Sequence, residues 1–263
     1  MNYKHQVADS FSHATSTYDT NAIVQQQCAR ELMTLLRSHQ CHLPPGDVLE
    51  IGCGTGFVTQ QLIECCGDRT LEITDISLNM LNQCQQNLRL TSEQRQQIVF
   101  KQLDGEAIDV NPDQYAIIVS NFVVQWFEQP AQSLKKLMAT LKPNGLLLVS
   151  FPTHRSFPEW QHLCQQMDLP FTANPMPDPK DLTQQLTDPT VNCVCYEQTM
   201  SVFYNRAIDF FRSLKLIGAG LSRCQQKLSS LQMKQLIRGW NETNPTGIQV
   251  SYHIAFLVVQ RSQ

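Results

Sequence analysis

The 263-residue chain predicts an α/β fold: a doubly wound, mostly parallel sheet with helices on both faces. Three observations predict it. Short apolar runs alternate with stretches of helical periodicity, and Gly and Pro separate them. The first run passes through Glu50 into Gly52, Gly54 and Gly56, and alternating glycines permit a tight turn and the close approach of a ligand to the backbone. Glu50, Asp75, Asp104 and Asn121 stand at or just past the ends of four successive runs, where a doubly wound sheet presents its ligand crevice.

Residues 1–40 come first and are helical in pattern. Val7, Phe11, Ala14 and Tyr18 fall at i, i+4, i+7 and i+11, and Ile23, Leu32, Leu35 and Leu36 mark a second, longer helix. Two amphipathic helices packed on a domain satisfy this pattern; lying over a ligand as a lid, they would offer Tyr18 and Gln25 as polar contacts. Val48, Leu49 and Ile51 make the first strand. The second, residues 71–74, ends in Asp75, 23 residues after Gly52. That is close to the ~20-residue spacing at which an acid of a nucleotide-binding βαβ unit meets a ribose diol. Ser77 suits the N-cap of the following helix. Residues 98–100 form a third strand, 115–119 a fourth and 146–151 a fifth, so the ligand-binding core is expected over 41–151. Residues 152–249 read as a cap or insertion. Prolines at 152, 158, 170, 175, 177, 179 and 189 break its first part and leave room for a helix near 157–167. Residues 250–263 return to the sheet as a final strand.

Hydrophobic residues make up 42% and charged residues 16% of the chain, a globular composition. No apolar run approaches the ~18 residues of a membrane span, and Met1 to His5 lack the apolar core of a signal peptide, so no membrane association and a cytoplasmic location are expected. The ten cysteines are expected as free thiols in a reducing compartment. Cys193 and Cys195 are too close together, and too isolated from other Cys or His pairs, to build a zinc site, and no metal is expected. The net charge is −3, yet between Arg206 and Arg238 seven basic residues face one acid, Asp209, leaving that segment at +6 and the remainder at −9. A local excess that opposes the global sign is either a solvated helix face or a docking surface for an acidic partner. Nucleic acid is disfavoured by a pI near 6.1 and by the scarcity of aromatic residues between the basic ones.

The glycine loop departs from the dinucleotide fingerprint, because counting from Gly52 the third glycine would fall at Phe57. Glu50-x-Gly52-x-Gly54-x-Gly56 instead resembles motif I of the class I S-adenosylmethionine-dependent methyltransferases, whose ligand carries a sulfonium cation and no pyrophosphate. Over nearly its full length the chain resembles the malonyl-acyl-carrier-protein O-methyltransferase (BioC) family of biotin synthesis. The resemblance rests on Ser10 to Ala14 with Tyr18, Asp19 and Gln25, on Ser120, Asn121, Gln125 and Trp126, on residues 212–219, and on Tyr252 and His253. Residues 168–190 do not align. The resemblance implies a Rossmann-like, seven-stranded sheet with S-adenosylmethionine as co-substrate. It further implies cofactor contacts from Tyr18, Gln25, Glu50, Gly52, Cys53, Gly54, Asp75, Ile76, Met80, Asp104, Gly105 and Asn121, with Asp104 accepting from the adenine amino group.

The reaction so implied is O-methylation of the free carboxylate of a malonyl thioester, initiating pimeloyl formation in biotin synthesis. A carboxylate is ionised at neutral pH, its ordinary pKa lying near ~4, so no general base is needed. The sequence, in keeping, has no Ser-His-Asp or Cys-His arrangement. Positioning by neutral donors is expected from Tyr18, Gln125, Trp126, Tyr252 and His253. Acyl carrier proteins are acidic, so the basic segment acquires a partner: Arg212 and Lys215, inside the matching segment, are expected to meet the carrier protein or its phosphopantetheine. Lys227, Lys234 and Arg238 are weaker candidates resting on charge alone. The alternatives are another small-molecule carboxylate or quinone-ring methyltransferase, an RNA methyltransferase, and a non-catalytic S-adenosylmethionine-binding protein. The first of these would share residues 50–150 but would have no use for a basic cap.

Overall fold

A computed structural model of the chain describes residues 3–262; residues 1 and 2, part of the expected lid and of the Met1 to His5 stretch, and residue 263 of the final strand lie outside the described residues. Helices α1 (Tyr3–Asn21) and α2 (Ile23–His39) come first. Strands β1 (Asp47–Ile51), β2 (Leu71–Asp75), β3 (Ile98–Gln102), β4 (Tyr115–Asn121) and β5 (Leu141–Pro152) then alternate with α3 (Phe57–Cys66), α4 (Leu78–Asn87), α5 (Ser92–Gln97) and α6 (Pro130–Thr140). After them come α7 (Pro158–Gln166), α8 (Pro179–Leu186), β6 (Val191–Tyr204), α9 (Ala207–Leu216), α10 (Ser230–Thr243) and β7 (Ile248–Arg261).

The seven strands form one sheet in the order β3-β2-β1-β4-β5-β7-β6. The first five run parallel, and β7 pairs antiparallel with both β5 and β6. Residues 116–119 of β4, Ala-Ile-Ile-Val, are wholly buried because helices cover both faces of a parallel sheet. Alternation along the strands sorts the core into two layers. Val48, Ile117, Val119, Leu146 and Leu148 pack with α2 and α3; Leu49, Ile51, Ile118, Leu147 and Val149 pack with α6 and α8. Strand order reverses between β1 and β4, which opens a crevice at their carboxyl ends.

The expected cap needs one revision. Residues 191–204 within it are the edge strand of the sheet, paired with β7 along their whole length. Exposed Tyr196, Phe203 and Val194 blur the period-2 signal, because an edge strand at the rim of the sheet does not bury one whole face. The helix expected near 157–167 is α7, and the N-cap at Ser77 is present: its Oγ accepts from the Met80 N–H at 3.2 Å.

Helix α1 ties the core to the cap. Ser12 and Ser77 hydroxyls lie 2.8 Å apart, Ser10 donates to the Gly218 carbonyl at 2.8 Å, and Thr17 donates to the Leu216 carbonyl at 2.7 Å. Gly218, at φ +75°, passes so close to α1 that a Cβ there would lie 3.0 Å from Phe11 Cα.

Candidate active site

Two adjoining cavities occupy the crevice. The smaller, about 80 Å³, lies at the carboxyl ends of β1, β2 and β4. The larger, about 280 Å³, lies between the sheet and the cap helices. Phe11, Tyr18, Phe122 and Trp126 line both, so a molecule in one meets a molecule in the other at these four side chains.

The smaller cavity gathers nine of the twelve residues expected to bind cofactor: Tyr18, Gly52, Gly54, Asp75, Ile76, Met80, Asp104, Gly105 and Asn121. Gly52 has φ +73°, and a Cβ there would lie 2.3 Å from Val123 Cγ2; no other residue fits this turn. Asp75 is the hub. Its Oδ2 accepts the Gly54 N–H at 2.9 Å and its Oδ1 accepts the Ser77 N–H at 2.8 Å, fixing the loop to the start of α4. Burial pushes its carboxyl up to about 6, against the lowering effect of those N–H groups. Tyr18 stacks on Phe57 with centroids 5.9 Å apart and covers Gly54. Asn121 donates to the Gln25 carbonyl at 3.1 Å and accepts from Ser150 at 2.6 Å, so it holds α2 against β4.

Three expected cofactor contacts sit elsewhere. Glu50 does not line the cavity: alternation along β1 turns it to the α3 side, where Thr59 donates to it at 2.7 Å. Burial there pushes its carboxyl up to about 8. Cys53 is buried beneath the loop, beside Cys84. Gln25 lines the larger cavity. Conversely, the sequence did not single out Lys4, whose ammonium lies 2.5 Å from Asp104 and 2.9 Å from Glu106. The signal lay in helix geometry: Lys4 sits one turn before Val7, on the face of α1 that carries Phe11 and Tyr18. Asp104 therefore reaches the cavity with one oxygen already held by α1.

Among the expected positioning residues, Tyr18, Gln125, Trp126 and Tyr252 line the larger cavity. His253 does not. Adjacent strand residues point to opposite faces, so the inward turn of Tyr252 places His253 beside the Thr153 hydroxyl at 3.0 Å and Glu197 at 3.7 Å. Burial and nearby Arg155 lower its pKa. Gln125 donates its amide nitrogen to the Phe122 carbonyl at 2.7 Å. The buried Trp126 Nε1 has no hydrogen-bond partner among the described residues, and its ring meets Phe11 edge-on at 5.5 Å. Arg212 and Lys215 line the larger cavity from α9, and Arg212, with its side chain 62% exposed, marks the rim. Arg223 turns inward, donating to the carbonyls of Gln125 and Phe127 and lying over the Tyr3 ring; it braces the site and is not part of the basic surface.

The smaller cavity fits S-adenosylmethionine. A Cβ at Gly52 or Gly105 would collide with Val123 or Ile51, two carboxylates stand at its strand ends, and its one lysine is neutralised by Asp104 and Glu106. A pyrophosphate would find no uncompensated cation there. A parallel sheet with an antiparallel β7, a glycine turn after β1 and an acid ending β2 define a class I S-adenosylmethionine-dependent methyltransferase.

The comparisons narrow this class. A family profile described as a methyltransferase domain matches residues 20–189. The malonyl-[acyl-carrier protein] O-methyltransferase of Magnetococcus marinus is 31% identical over 98% of this chain and 93% of its own. The enzyme of the same name from Salmonella typhimurium is 27% identical over 98% of each. The biotin biosynthesis bifunctional protein BioCD of Bordetella avium is 28% identical over 95% of this chain and 51% of that protein. Among solved structures, the YcgJ protein of Bacillus subtilis superposes with a TM-score of 0.61 at 13% identity, covering 89% of this chain and 99% of that one. The plantazolicin methyltransferase BpumL superposes at 0.56 and 15% identity, covering 99% and 95%; both likenesses concern the fold. The chain belongs to the malonyl-acyl-carrier-protein O-methyltransferase family, and it is an S-adenosylmethionine-dependent methyltransferase.

Proposed function

We propose that this enzyme methylates the free carboxylate of a malonyl group carried as a thioester on acyl carrier protein. The observation that carries the assignment is the pair of joined cavities, one with the chemistry of S-adenosylmethionine and one rimmed by Arg212 and Lys215, in a chain similar end to end to enzymes named for that substrate. Asp75, Asp104, Gly52, Gly54, Met80 and Tyr18 would hold S-adenosylmethionine. When bound, it supplies an electrophilic methyl group on a sulfonium sulfur.

The protein's own contribution is placement. The substrate carboxylate is ionised without help, so the site needs no base, and the four side chains at the junction are all neutral. A cation there would lower the nucleophilicity of the oxygen; neutral donors orient it at less cost. We assign the donor role to Trp126, whose ring lines the junction and whose buried Nε1 has no hydrogen-bond partner among the described residues. Gln125 has one of its two amide N–H donors committed to the Phe122 carbonyl. Helix α1 and the aromatic side chains around the junction exclude water, and alignment of reacting groups in such sites is worth about 7–11 kcal/mol in well-oriented systems.

Arg212 and Lys215 lie on the exposed face of α9 at the cavity rim, where an acidic carrier would dock with its prosthetic arm directed inward. Arg212→Ala is expected to raise KM for the carrier-bound substrate several-fold and leave KM for a small malonyl thioester nearly unchanged. Equal losses with both substrates would remove the docking role.

A further inference from the structure

Trp126 sits in a turn too short to hold itself. In the 3-10 turn Val124–Trp126, the N–H groups of Trp126 and Phe127 donate to the Val123 and Val124 carbonyls at 2.8 and 3.1 Å. Carbonyls at the end of so short a turn have no partner within it, so those of Gln125 and Phe127 need donors from elsewhere. One side chain serves both: Arg223 Nη2 donates to the Gln125 carbonyl at 3.3 Å and Nη1 to the Phe127 carbonyl at 3.2 Å. The guanidinium is a rigid planar fork, and its prongs grip the chain on either side of Trp126.

The fork is itself held. Asn174 Oδ1 accepts the Arg223 backbone N–H at 3.1 Å, and Asn174 Nδ2 donates to the same Gln125 carbonyl at 3.4 Å. The guanidinium carbon lies 5.0 Å over the centre of the Tyr3 ring, in the first turn of α1. Arg206, Arg212 and Arg238 spend their charge on the carboxylates of Asp209 and Glu242; Arg223 directs its own at carbonyl oxygens next to the junction of the cavities. Arg223 itself lines neither cavity, although Ala219, Gly220, Leu221 and Ser222 just before it line the larger one. Asn174 belongs to residues 168–190, where the family resemblance gives no guide.

We infer that Arg223, set by Asn174, is a positioning residue for methyl transfer. It fixes the backbone around Trp126 so that the indole N–H serves the junction where the substrate oxygen approaches the methyl carbon. The inference rests on the reading of Trp126 as the donor there. Arg223 touches neither reacting group; it acts through Trp126, and its loss frees the turn to shift. A misplacement of about 1 Å costs roughly 10²-fold in rate, so Arg223→Ala is expected to lower kcat by about 10- to 100-fold. KM for the carrier-bound substrate should change little and keep its wild-type salt dependence, because this cation is not offered to the carrier surface.

The test is a double-mutant cycle on the full chain: wild type, Arg223→Ala, Trp126→Phe and the double variant, with malonyl-acyl-carrier protein as substrate. S-adenosylmethionine affinity by calorimetry reports that each variant is folded. If Arg223 acts through Trp126, its removal from the Trp126→Phe enzyme should cost less than about threefold in kcat, because residues that work as one unit are not additive. Should Arg223→Ala fail to bind S-adenosylmethionine, Arg223→Lys and Asn174→Ala carry the same cycle, since a single ammonium cannot reproduce the fork. A full loss repeated in the Trp126→Phe background overturns the positioning role and leaves Trp126 as the donor. A loss that appears as a raised KM with a flattened salt dependence makes Arg223 a docking cation and also overturns it. An unimpaired Trp126→Phe enzyme overturns the donor reading and this inference with it. A wild type that binds S-adenosylmethionine but leaves the malonyl species unmethylated overturns the substrate assignment as well.

Discussion

Asp75 holds the glycine loop through its own backbone contacts, and the same carboxylate lines the cofactor cavity. Ligand hydroxyls or a sulfonium favour its ionised form. Its folded pKa is raised to about 6, so S-adenosylmethionine affinity should fall as pH drops through 6 and level off above 7. Calorimetry should show this slope in the wild type and its loss in Asp75→Asn, with at least tenfold weaker binding at pH 7.5. Glu50 gives the complementary sign for stability. A carboxyl raised from its ordinary value to about 8 in the fold stabilises fully below pH 4.5, and that contribution is lost as pH rises to 8. Glu50→Gln should therefore flatten the fall in Tm between pH 5 and 8.5. Trp126→Phe should lower kcat roughly 10²-fold with little change in S-adenosylmethionine affinity, by analogy with removing one placed donor at a reacting oxygen. Gly52, Gly54, Asp75 and Asp104 line one cavity; spacing in the sequence pointed to the glycine turn and Asp75, and the family resemblance pointed to Asp104. Glu50 and His253 line neither cavity, and motif spacing does not report which face of a strand a side chain takes; parity against Ile51 and Tyr252 does.

At the scale of elements, α1 is a strap. It bridges β3's following loop through Lys4, α4 through Ser12 and α9 through Ser10 and Thr17. Gly218→Val would force a Cβ against Phe11 at a backbone conformation that side chains rarely adopt, costing about 1–3 kcal/mol. Denaturant unfolding should register that loss, and KM for both substrates should rise, because α1 lines both cavities. The inner strands of the parallel half, β1, β2, β4 and β5, were readable from their apolar runs, since both of their faces are largely buried. β6 was not, because an edge strand buries less of itself and its side chains, including Tyr196 and Phe203, are mixed in character.

Over the whole molecule, charge is unevenly divided. The chain is net negative, while the segment from Arg206 to Arg238 carries +6. Of its cations, Arg223 is turned into the fold, and Arg206 and Arg212 share Asp209. Lys215, Lys227 and Lys234 are exposed around α9 and α10. Surface attraction of this kind is screened within about 8 Å at physiological salt. Raising salt from 50 to 300 mM should therefore raise KM for the carrier-bound substrate several-fold and barely affect a small thioester. The most direct measurement is the intact mass of malonyl-acyl-carrier protein after incubation with the enzyme and S-adenosylmethionine, beside an acetyl-loaded control. A gain of one CH₂ on the malonyl species alone is expected. An unchanged mass, with S-adenosylmethionine demonstrably bound, would contradict the substrate assignment.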